Sequence, residues 1–403
     1  NNKPENRGKK PKVGGHQASS MSSVDLLCAL YLGAKRPQDR VAVKPHAAPI
    51  IYSLMHQYGV LPSADMERLR EKGGPQPYPT KLKNPAFVDY TTSSEALGVC
   101  ATIYDAYGAV HHNRAFAAAE LGEHVDSVYW AHCGDGELTE GQIDESLYDA
   151  GRWKLNNLVW VVDLNRQSLD RVMDDSGRLE TWVEAKFEGQ GWHALSLPWG
   201  QHAHALFTRE GGQELKALLE GIPDLMFHPF LMLDGAAKRQ ILLGGVSHDS
   251  PEQAHALKWF KERLKVKPSR RKGIARAIED VSDSELQLGL THLGGHDMKA
   301  LISAYQEAAM FEEGPVVVIA HTIKGYQTSA AGHPENHGML LPSEEVQVWG
   351  AERGVEPSER YPKPAPESDA GQVCAERARV FLEESDDPYA KAPLEGLKES
   401  LEA

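Results

Sequence analysis

The chain reads GDGELTEGQ over Gly134–Gln142 and LNRQSLD over Leu164–Asp170, and these two stretches carry most of its structural information. Each follows an apolar run, VYWA from Val128 and LVWVVDL from Leu158, and a helix is predicted between them over Gly141–Trp153. That order forms a βαβ unit, whose strands run parallel and carry helices on both faces of the sheet. We therefore predict an α/β fold with a mostly parallel sheet.

Polar side chains stand where the two predicted strands end, Asp135 after the first and Asn165 after the second. Ligands of open α/β sheets bind at the carboxyl ends of the strands. Carboxylate and amide oxygens suit Mg²⁺, which takes few protein ligands and receives others from phosphate. Gly134 and Gly136 would let the backbone approach a diphosphate, and the helix that follows can direct amide groups towards it.

The two stretches resemble the thiamine diphosphate motif of the transketolase superfamily. The resemblance rests on Gly134-Asp135-Gly136, on Asn165 thirty residues beyond Asp135, and on the continuation NRQ-SLD. The resemblance extends from Gly14 to about Pro342 and covers the first of three domains in the dehydrogenase component of homodimeric pyruvate dehydrogenases. The segments that carry it are GGHQASSMSSVDLL from Gly14, KPHAAPIIYSL from Lys44, GQGWHALSLPWG from Gly189, THLGGHDMKAL from Thr291 and AHTIKGY from Ala320.

The resemblance implies thiamine diphosphate as cofactor, together with Mg²⁺ or another divalent cation. Asp135 and Asn165 would bind the metal through side-chain oxygens, and Gln167 would bind it through its backbone carbonyl. The residues expected to contact the cofactor are Gly134, Gly136, Glu137, Asn165, His46, Lys324 and His337.

Four histidines are the candidate catalytic residues. His46 in KPHAAP resembles a histidine that faces the thiazolium ring and the substrate, and His16 in GGHQAS resembles a second one on a loop. His321 matches a histidine near the active site or the diphosphate. The segment AGHPENHGMLLPSEEV from Ala331 resembles transketolase instead, where a histidine at the position of His337 touches diphosphate and substrate. An imidazole with its usual pKa near 6.5 can both donate and accept protons.

The predicted chain organisation has three parts. Residues 1–13 are basic and polar and are expected to form a flexible arm. Residues 14–342 are expected to form the diphosphate- and metal-binding domain, with a helical insertion at about 201–297. Within it, Pro315–Thr322 is predicted to be the last strand of the main sheet. Residues 343–403 are predicted to be an acidic, partly extended C-terminal segment with one helix over Ala370–Glu384.

Composition argues against several classes of protein. The 403 residues have a formal net charge of −14, which argues against nucleic acid and anionic membranes as partners. The sequence contains no run of 18 apolar residues, so no membrane span is expected. The four cysteines are scattered and show no CxxC spacing, which is typical of a reducing compartment. We therefore expect a cytoplasmic protein.

The resemblance also implies a partner. In the family, a glutamate on a further domain activates the aminopyrimidine ring across a dimer interface, and no glutamate of this chain matches it by motif. We therefore expect a second subunit that carries the pyrimidine-binding domain and this glutamate, and an α₂β₂ assembly as the natural symmetric form.

The predicted function is that of the diphosphate-binding subunit of a two-component enzyme that cleaves the C–C bond next to a carbonyl and transfers a two-carbon unit. The length of the match favours a dehydrogenase acting on pyruvate or another ketone or 2-oxo acid, with a lipoyl-domain protein as a further partner. The loop of His337 favours transketolase-like ketol transfer in a sugar or biosynthetic pathway. So does Thr80, which stands where the family's proline-rich segment carries a histidine.

Two other classes are weaker alternatives. A non-catalytic scaffold subunit is disfavoured because Asp135 and Asn165 are both present. A nucleotide-binding dehydrogenase would need a GxGxxG stretch after its first strand, and the chain has none.

Overall fold

The computed structural model describes residues 16–85, 87–93, 95–118, 126–173, 179–356 and 359–382. The arm predicted for residues 1–13 and the last part of the C-terminal segment, residues 383–403, lie outside the described residues.

The strands of the described residues form one five-stranded sheet and one two-stranded hairpin. The strands are β1 Arg40–Val43, β2 Tyr129–Gly134, β3 Leu158–Leu164, β4 Gln167–Ser168, β5 Arg171–Val172, β6 His193–Leu197 and β7 Val316–His321. The main sheet has the order β1-β2-β3-β7-β6, and every neighbouring pair in it is parallel. Strands β4 and β5 pair antiparallel directly after β3.

Sixteen α-helices surround the sheet within the described ranges. They are α1 Gln17–Cys28, α2 Ala48–Gln57, α3 Ser63–Met66, α4 Leu97–Ala118, α5 Gly141–Trp153, α6 Leu179–Glu188, α7 Gln201–Phe207, α8 Gly212–Leu219, α9 Asp224–Leu231, α10 Gly235–Leu243, α11 Pro251–Arg263, α12 Pro268–Ala277, α13 Asp283–Thr291, α14 Met298–Met310, α15 Ser343–Ala351 and α16 Asp369–Leu382. Within the same ranges, no helix is both long and apolar enough to cross a bilayer.

The sheet is covered on both faces, which explains its near-continuous apolar strands. All seven residues of β3 and all six of β7 are buried, as expected for parallel strands between two helical layers. On one face Trp130 and Val161 pack with residues of α1, α2 and α14. On the other face Ala131 and Trp160 pack with residues of α4, α5 and α6. The structure confirms the predicted α/β fold with a parallel sheet.

Strand β7 is the last strand along the chain, but it does not lie at the edge of the sheet. It pairs with β3 on one side and with β6 on the other. The edge position falls to β6, whose residues are partly exposed. The loop after β7 therefore emerges beside the loop after β3, where the predicted metal ligands lie.

Residues 201–297, the helical insertion, contain α7 to α13 and have an apolar cluster of their own. Side chains fix where several of these helices begin. Asp234 accepts a hydrogen bond from the backbone of Ala237 at 2.8 Å, and Ser282 forms a capping box with Glu285 at the start of α13. The insertion packs against the sheet domain through the loop after β7, because Ile323 belongs to its apolar cluster.

The C-terminal segment is more structured than we predicted. Helix α15 was not expected, although two features of the sequence favour it. It follows Pro342, and Glu344 and Glu345 in its first turn interact favourably with the positive end of the helix dipole. Helix α16 returns to the domain, because Arg377 donates from Nε to the carbonyl of Tyr31 at 3.0 Å. The segment up to residue 382 therefore packs on the domain.

Candidate functional site

A cavity of about 230 Å³ lies at the carboxyl ends of four parallel strands. Its walls come from the segments that follow β1, β2, β3 and β7. The lining residues are Ser19, Lys44, Pro45, His46, Gly134, Asp135, Gly136, Glu137, Glu140, Asn165, Gln167, Ser168, Leu169, Lys324 and His337. This is where ligands of open α/β sheets bind.

Asp135 provides a buried carboxylate at the first position after β2 and is 1% exposed. Its Oδ1 accepts a hydrogen bond from the backbone of Gly136 at 2.8 Å, and its Oδ2 accepts one from the backbone of Arg166 at 2.6 Å. Burial, with a smaller effect of the neighbouring Asp163, raises the pKa of Asp135 to about 7. A carboxylate that is buried without an ion-pair partner among the described residues suits a divalent cation.

Asn165 and Gln167 lie on the same wall of the cavity. Asn165 is buried, and its Oδ1 accepts a hydrogen bond from the backbone of Gln167 at 3.1 Å. The intervening Arg166 has φ 65°, and Leu169 in the same loop has φ 55°. These left-handed residues curl the chain after β3 back over the cavity. The structure thus brings together the three predicted metal ligands, Asp135, Asn165 and Gln167.

The turn that contains Gly134 and Gly136 leaves room for a ligand, and the carboxylate of Glu137 holds its backbone. A Cβ atom at Gly136 would lie 3.1 Å from the Oγ of Ser168, so a side chain there would press on the hairpin. Glu137 lines the cavity, but its Oε2 accepts a hydrogen bond from the backbone of Gly134 at 2.9 Å. Burial raises the pKa of Glu137 to about 7. Its clearest role in the structure is to hold the turn.

Two lysines supply positive charge. Lys324 is buried at the start of the loop after β7 and donates to the backbone carbonyl of Leu169. Burial lowers the pKa of Lys324 to about 8, against the opposing effect of Asp135. Lys44 pairs with the fully buried carboxylate of Asp163 at the end of β3. Sequence analysis assigned no role to Lys44, although it opens the quoted segment KPHAAP.

Asp163 is the centre of a buried polar group beneath the cavity. Its Oδ2 accepts hydrogen bonds from Ser22 and Ser23 at 2.7 Å each, and its Oδ1 accepts one from Thr322. Although burial alone would raise it, the ammonium of Lys44 holds the pKa of Asp163 below its usual range. These bonds tie α1, β3 and the end of β7 together. No sequence motif indicated these contacts, because the partners of a carboxylate inside an apolar strand lie far from it along the chain.

Three of the four predicted histidines meet beside the cavity, and two of them, His46 and His337, line it. The ring centroid of His16 lies 4.4 Å from that of His46 and 4.3 Å from that of His337. Their ring nitrogens lie within 4.8 Å of one another. Burial lowers the pKa of His46 to about 3 and that of His337 to about 4, and it also lowers the pKa of His16. All three rings are therefore neutral near pH 7.

His321 does not join them, contrary to the expectation from the sequence. Its Nδ1 lies 3.2 Å from Nη2 of Arg166, and the ring lines a second cavity of about 300 Å³. Neighbouring residues of an extended segment point to opposite faces. Thr322 turns towards Asp163, so His321 faces the other side of the sheet. Burial lowers the pKa of His321 well below its usual range.

His296, in the segment THLGGHDMKAL, has a structural role that sequence analysis did not identify. Its Nε2 accepts a hydrogen bond from the backbone of Ile323 at 2.9 Å, and its Nδ1 lies 2.9 Å from Oδ2 of Asp25. Its ring stacks on Tyr326 with 3.5 Å between ring centroids. It therefore holds the loop that delivers Lys324 to the cavity.

Comparison with known proteins gives consistent matches. A family model described as "Transketolase, thiamine diphosphate binding domain" matches residues 15–214. The pyruvate dehydrogenase E1 component of Escherichia coli strain K12 is 27% identical over 334 residues, which is 81% of this chain and 34% of that protein. The same component from Cupriavidus necator is 28% identical over 338 residues, with the same two shares. A transketolase from Leishmania mexicana has a similar fold, with a TM-score of 0.56 at 16% identity over 92% of this chain and 45% of that one.

The matched residues 15–214 include β1, β2, β3 and β6, and with them Asp135, Asn165 and Gln167. The chain spans about a third of the length of the curated relatives that it matches. The fold, the strand-end cavity and these matches agree: residues 15–214 form a transketolase-type thiamine diphosphate-binding domain, and the chain is distantly homologous to the pyruvate dehydrogenase E1 component.

Proposed function

We propose that the chain binds thiamine diphosphate and a divalent cation in the strand-end cavity, as the diphosphate-binding subunit of an enzyme that cleaves the C–C bond next to a carbonyl. The observation that carries this proposal is the buried carboxylate of Asp135, which has no ion-pair partner in the described part of the chain and lies beside Asn165 and Gln167. Such a set of oxygen donors fits Mg²⁺, which takes its other ligands from phosphate. Lys324 would offset further charge of the diphosphate.

The protein's own groups bind and orient the reactants in this proposal. Thiamine diphosphate, when bound, supplies a nucleophilic carbon and an electron sink for the cleavage. Gly136 lets the backbone come close to the diphosphate. His16, His46 and His337 stand as neutral rings beside the cavity, where each can donate a hydrogen bond to the substrate's oxygen atoms or accept a proton from them.

A 2-oxo acid dehydrogenase is the favoured reaction type, with transfer of the two-carbon unit to a lipoyl-domain protein. The relatives named pyruvate dehydrogenase E1 component support it, because their similarity extends over 81% of this chain. Transketolase-like ketol transfer is the second candidate. It is favoured by His337, whose ring stacks on His16, because this position matches the transketolase histidine that touches the substrate.

A partner subunit completes the site in our proposal. It would carry the pyrimidine-binding domain and the activating glutamate, in an α₂β₂ assembly. The family resemblance supports this arrangement, since the site there is shared by two domains across an interface. A cytoplasmic location, expected from the sequence, remains a prediction.

Calorimetric titration with thiamine diphosphate and Mg²⁺ tests the proposal. The chain alone should bind weakly, and a mixture with a partner carrying the pyrimidine-binding domain should bind tightly and turn over a 2-oxo acid. Asp135→Ala is the matched control and should remove binding in the mixture without unfolding the chain. Turnover by the chain without a partner would contradict the two-subunit arrangement. Tight binding in a mixture that shows no turnover would favour the scaffold alternative, and absence of binding in every mixture would contradict the cofactor assignment.

A further inference from the structure

Arg166 lies between the predicted metal ligands Asn165 and Gln167, and its backbone is bound on both sides. Its N–H donates to Oδ2 of Asp135 at 2.6 Å, and its carbonyl accepts a hydrogen bond from the backbone of Met173 at 3.0 Å. It holds the left-handed conformation that disfavours residues with a Cβ. The position of Arg166 therefore determines where the hairpin lies and how the carboxylate of Asp135 is turned.

The side chain of Arg166 leaves the strand-end cavity and enters the second cavity, next to the helical insertion. Its Nη1 donates to Oδ1 of Asp224 at 3.0 Å, and its Nη2 lies 3.7 Å from Oε2 of Glu180 and 3.2 Å from Nδ1 of His321. The guanidinium lies over the ring of Phe227, 4.5 Å from its centroid. Asp224 is fully buried and is the first residue of α9, so the main anchor of Arg166 belongs to the helical insertion.

The group sets one guanidinium against two carboxylates and is incompletely hydrogen-bonded. One buried polar atom on each of Arg166, Glu180, Asp224 and His321 has no hydrogen-bond partner among the residues that the structure describes. The ion pair with Asp224 is thus the short, directed contact that fixes the guanidinium, since the distance to Glu180 is longer than a hydrogen bond. Without the carboxylate of Asp224, only the longer contact with Glu180 would compensate the guanidinium, so the arginine would have to move.

We propose that Arg166 is a positioning residue through which the helical insertion sets the geometry of the metal site. Asp224 fixes the guanidinium, the guanidinium fixes the left-handed backbone of residue 166, and that backbone orients Asp135 and the two flanking ligands. Groups just outside a metal's ligands control metal affinity in this way in many proteins. This inference rests on the metal site of the proposed function.

Metal affinity separates this role from a merely structural one. Mn²⁺ in place of Mg²⁺ is titrated into the full chain, with thiamine diphosphate and the partner subunit present, and free Mn²⁺ is followed by electron paramagnetic resonance. Asp224→Asn keeps the shape and removes the charge, and it should weaken Mn²⁺ binding by roughly ten- to a hundredfold. Asp283→Asn is the matched control, because it breaks an ion pair with Arg239 in the same insertion, at 2.6 Å, away from the cavity. It should leave Mn²⁺ affinity unchanged.

A second variant covers the case in which Asp224→Asn does not fold. Arg166→Lys keeps the positive charge but loses the planar fork that reaches Asp224 and His321 together, and it should weaken Mn²⁺ binding by a smaller factor. Wild-type Mn²⁺ affinity in a folded Asp224→Asn or Arg166→Lys protein would overturn the inference.

Amide hydrogen exchange supplies a readout that needs no metal. In the metal-free chain, Asp224→Asn should speed exchange in peptides covering residues 164–173, and Asp283→Asn should not. If wild-type protein failed to bind Mn²⁺ at all, the proposed function would be wrong, and the exchange experiment would still decide the positioning role. Equal exchange rates in wild type and Asp224→Asn would overturn that role.

Discussion

Replacing Asp135 by asparagine should stabilise the metal-free chain above neutral pH while abolishing its stabilisation by metal. In the folded chain, burial raises the pKa of Asp135 from 3.8 to about 7. The folded carboxyl therefore holds its proton more tightly than the unfolded one, so stability falls as pH rises from about 4 to about 7 and stays low above that. At about 1.4 kcal/mol per pKa unit, the ionised carboxylate costs about 4 kcal/mol at pH 8.

Asparagine removes this charge but keeps only one of the two accepted hydrogen bonds. Its amide group would face the N–H of Gly136 or of Arg166, which now donate to Asp135. A buried donor left without an acceptor costs about 1–3 kcal/mol. The net gain at pH 8 is therefore about 1–3 kcal/mol. At pH 5 the carboxylate of the wild-type protein costs only about 1.5 kcal/mol, so the gain should vanish or reverse.

The free energy of unfolding of wild type and variant is measured at pH 5 and pH 8 by urea denaturation with a metal chelator present. Tryptophan fluorescence reports the unfolding. The difference in unfolding free energy between the two proteins should change by roughly 2.5 kcal/mol between these pH values. With thiamine diphosphate and Mg²⁺ at a hundred times the dissociation constant, wild type should gain about 2.7 kcal/mol and the variant almost nothing. If the difference in unfolding free energy between the two proteins were the same at pH 5 and pH 8, the reasoning would be refuted. Burial of the ionised Asp135 carboxylate would then not destabilise the folded chain.

Three further substitutions test the site. His337→Ala should lower kcat more than it lowers thiamine diphosphate affinity, as measured by steady-state kinetics and calorimetry, and a loss of affinity alone would assign His337 to the diphosphate. Lys44→Met should cost about 3–5 kcal/mol in urea denaturation because it leaves Asp163 buried and unpaired, whereas Arg276→Met, in an exposed pair, should cost under about 0.5 kcal/mol. Lys324 loses its proton as pH rises through about 8, so calorimetry should show diphosphate affinity falling above that pH. Lys324→Met should bind about tenfold more weakly at pH 7 and lack this pH dependence.

The sequence predicted the fold and much of the cavity because both depend on local order along the chain. Apolar runs bounded by polar turns identified β2, β3 and β7, and the helix predicted over Gly141–Trp153 has those bounds in the structure. Asp135 and Asn165 could be placed because each directly follows a parallel strand, and parallel strands end on the same side of a sheet. The family resemblance of the surrounding segments then added His16, His46 and His337.

The remaining features depend on contacts between distant residues. His321 was expected near the cofactor, but the direction of a strand-end side chain depends on the sheet face that it meets, and this is not visible in the motif. The pairing of Lys44 with Asp163 joins the residue after β1 to β3, and that of Arg166 with Asp224 joins a left-handed loop to the helical insertion. In neither pair does the sequence around one residue indicate which distant residue it contacts.

The central place of β7 has a consequence for how the chain folds as it is made. Strands β3 and β6 both pair with β7, yet about 150 residues separate the end of β3 from its start, so at roughly 5–20 residues per second the ribosome needs about 8–30 s to bridge that interval. During this time β3 lacks its second neighbour and presents an open apolar edge, which is a site for pairing with other chains. The nascent chain is thus exposed to aggregation during this interval, and chaperones that hold unpaired strands should matter more for this protein than for one whose sheet is assembled in sequence order.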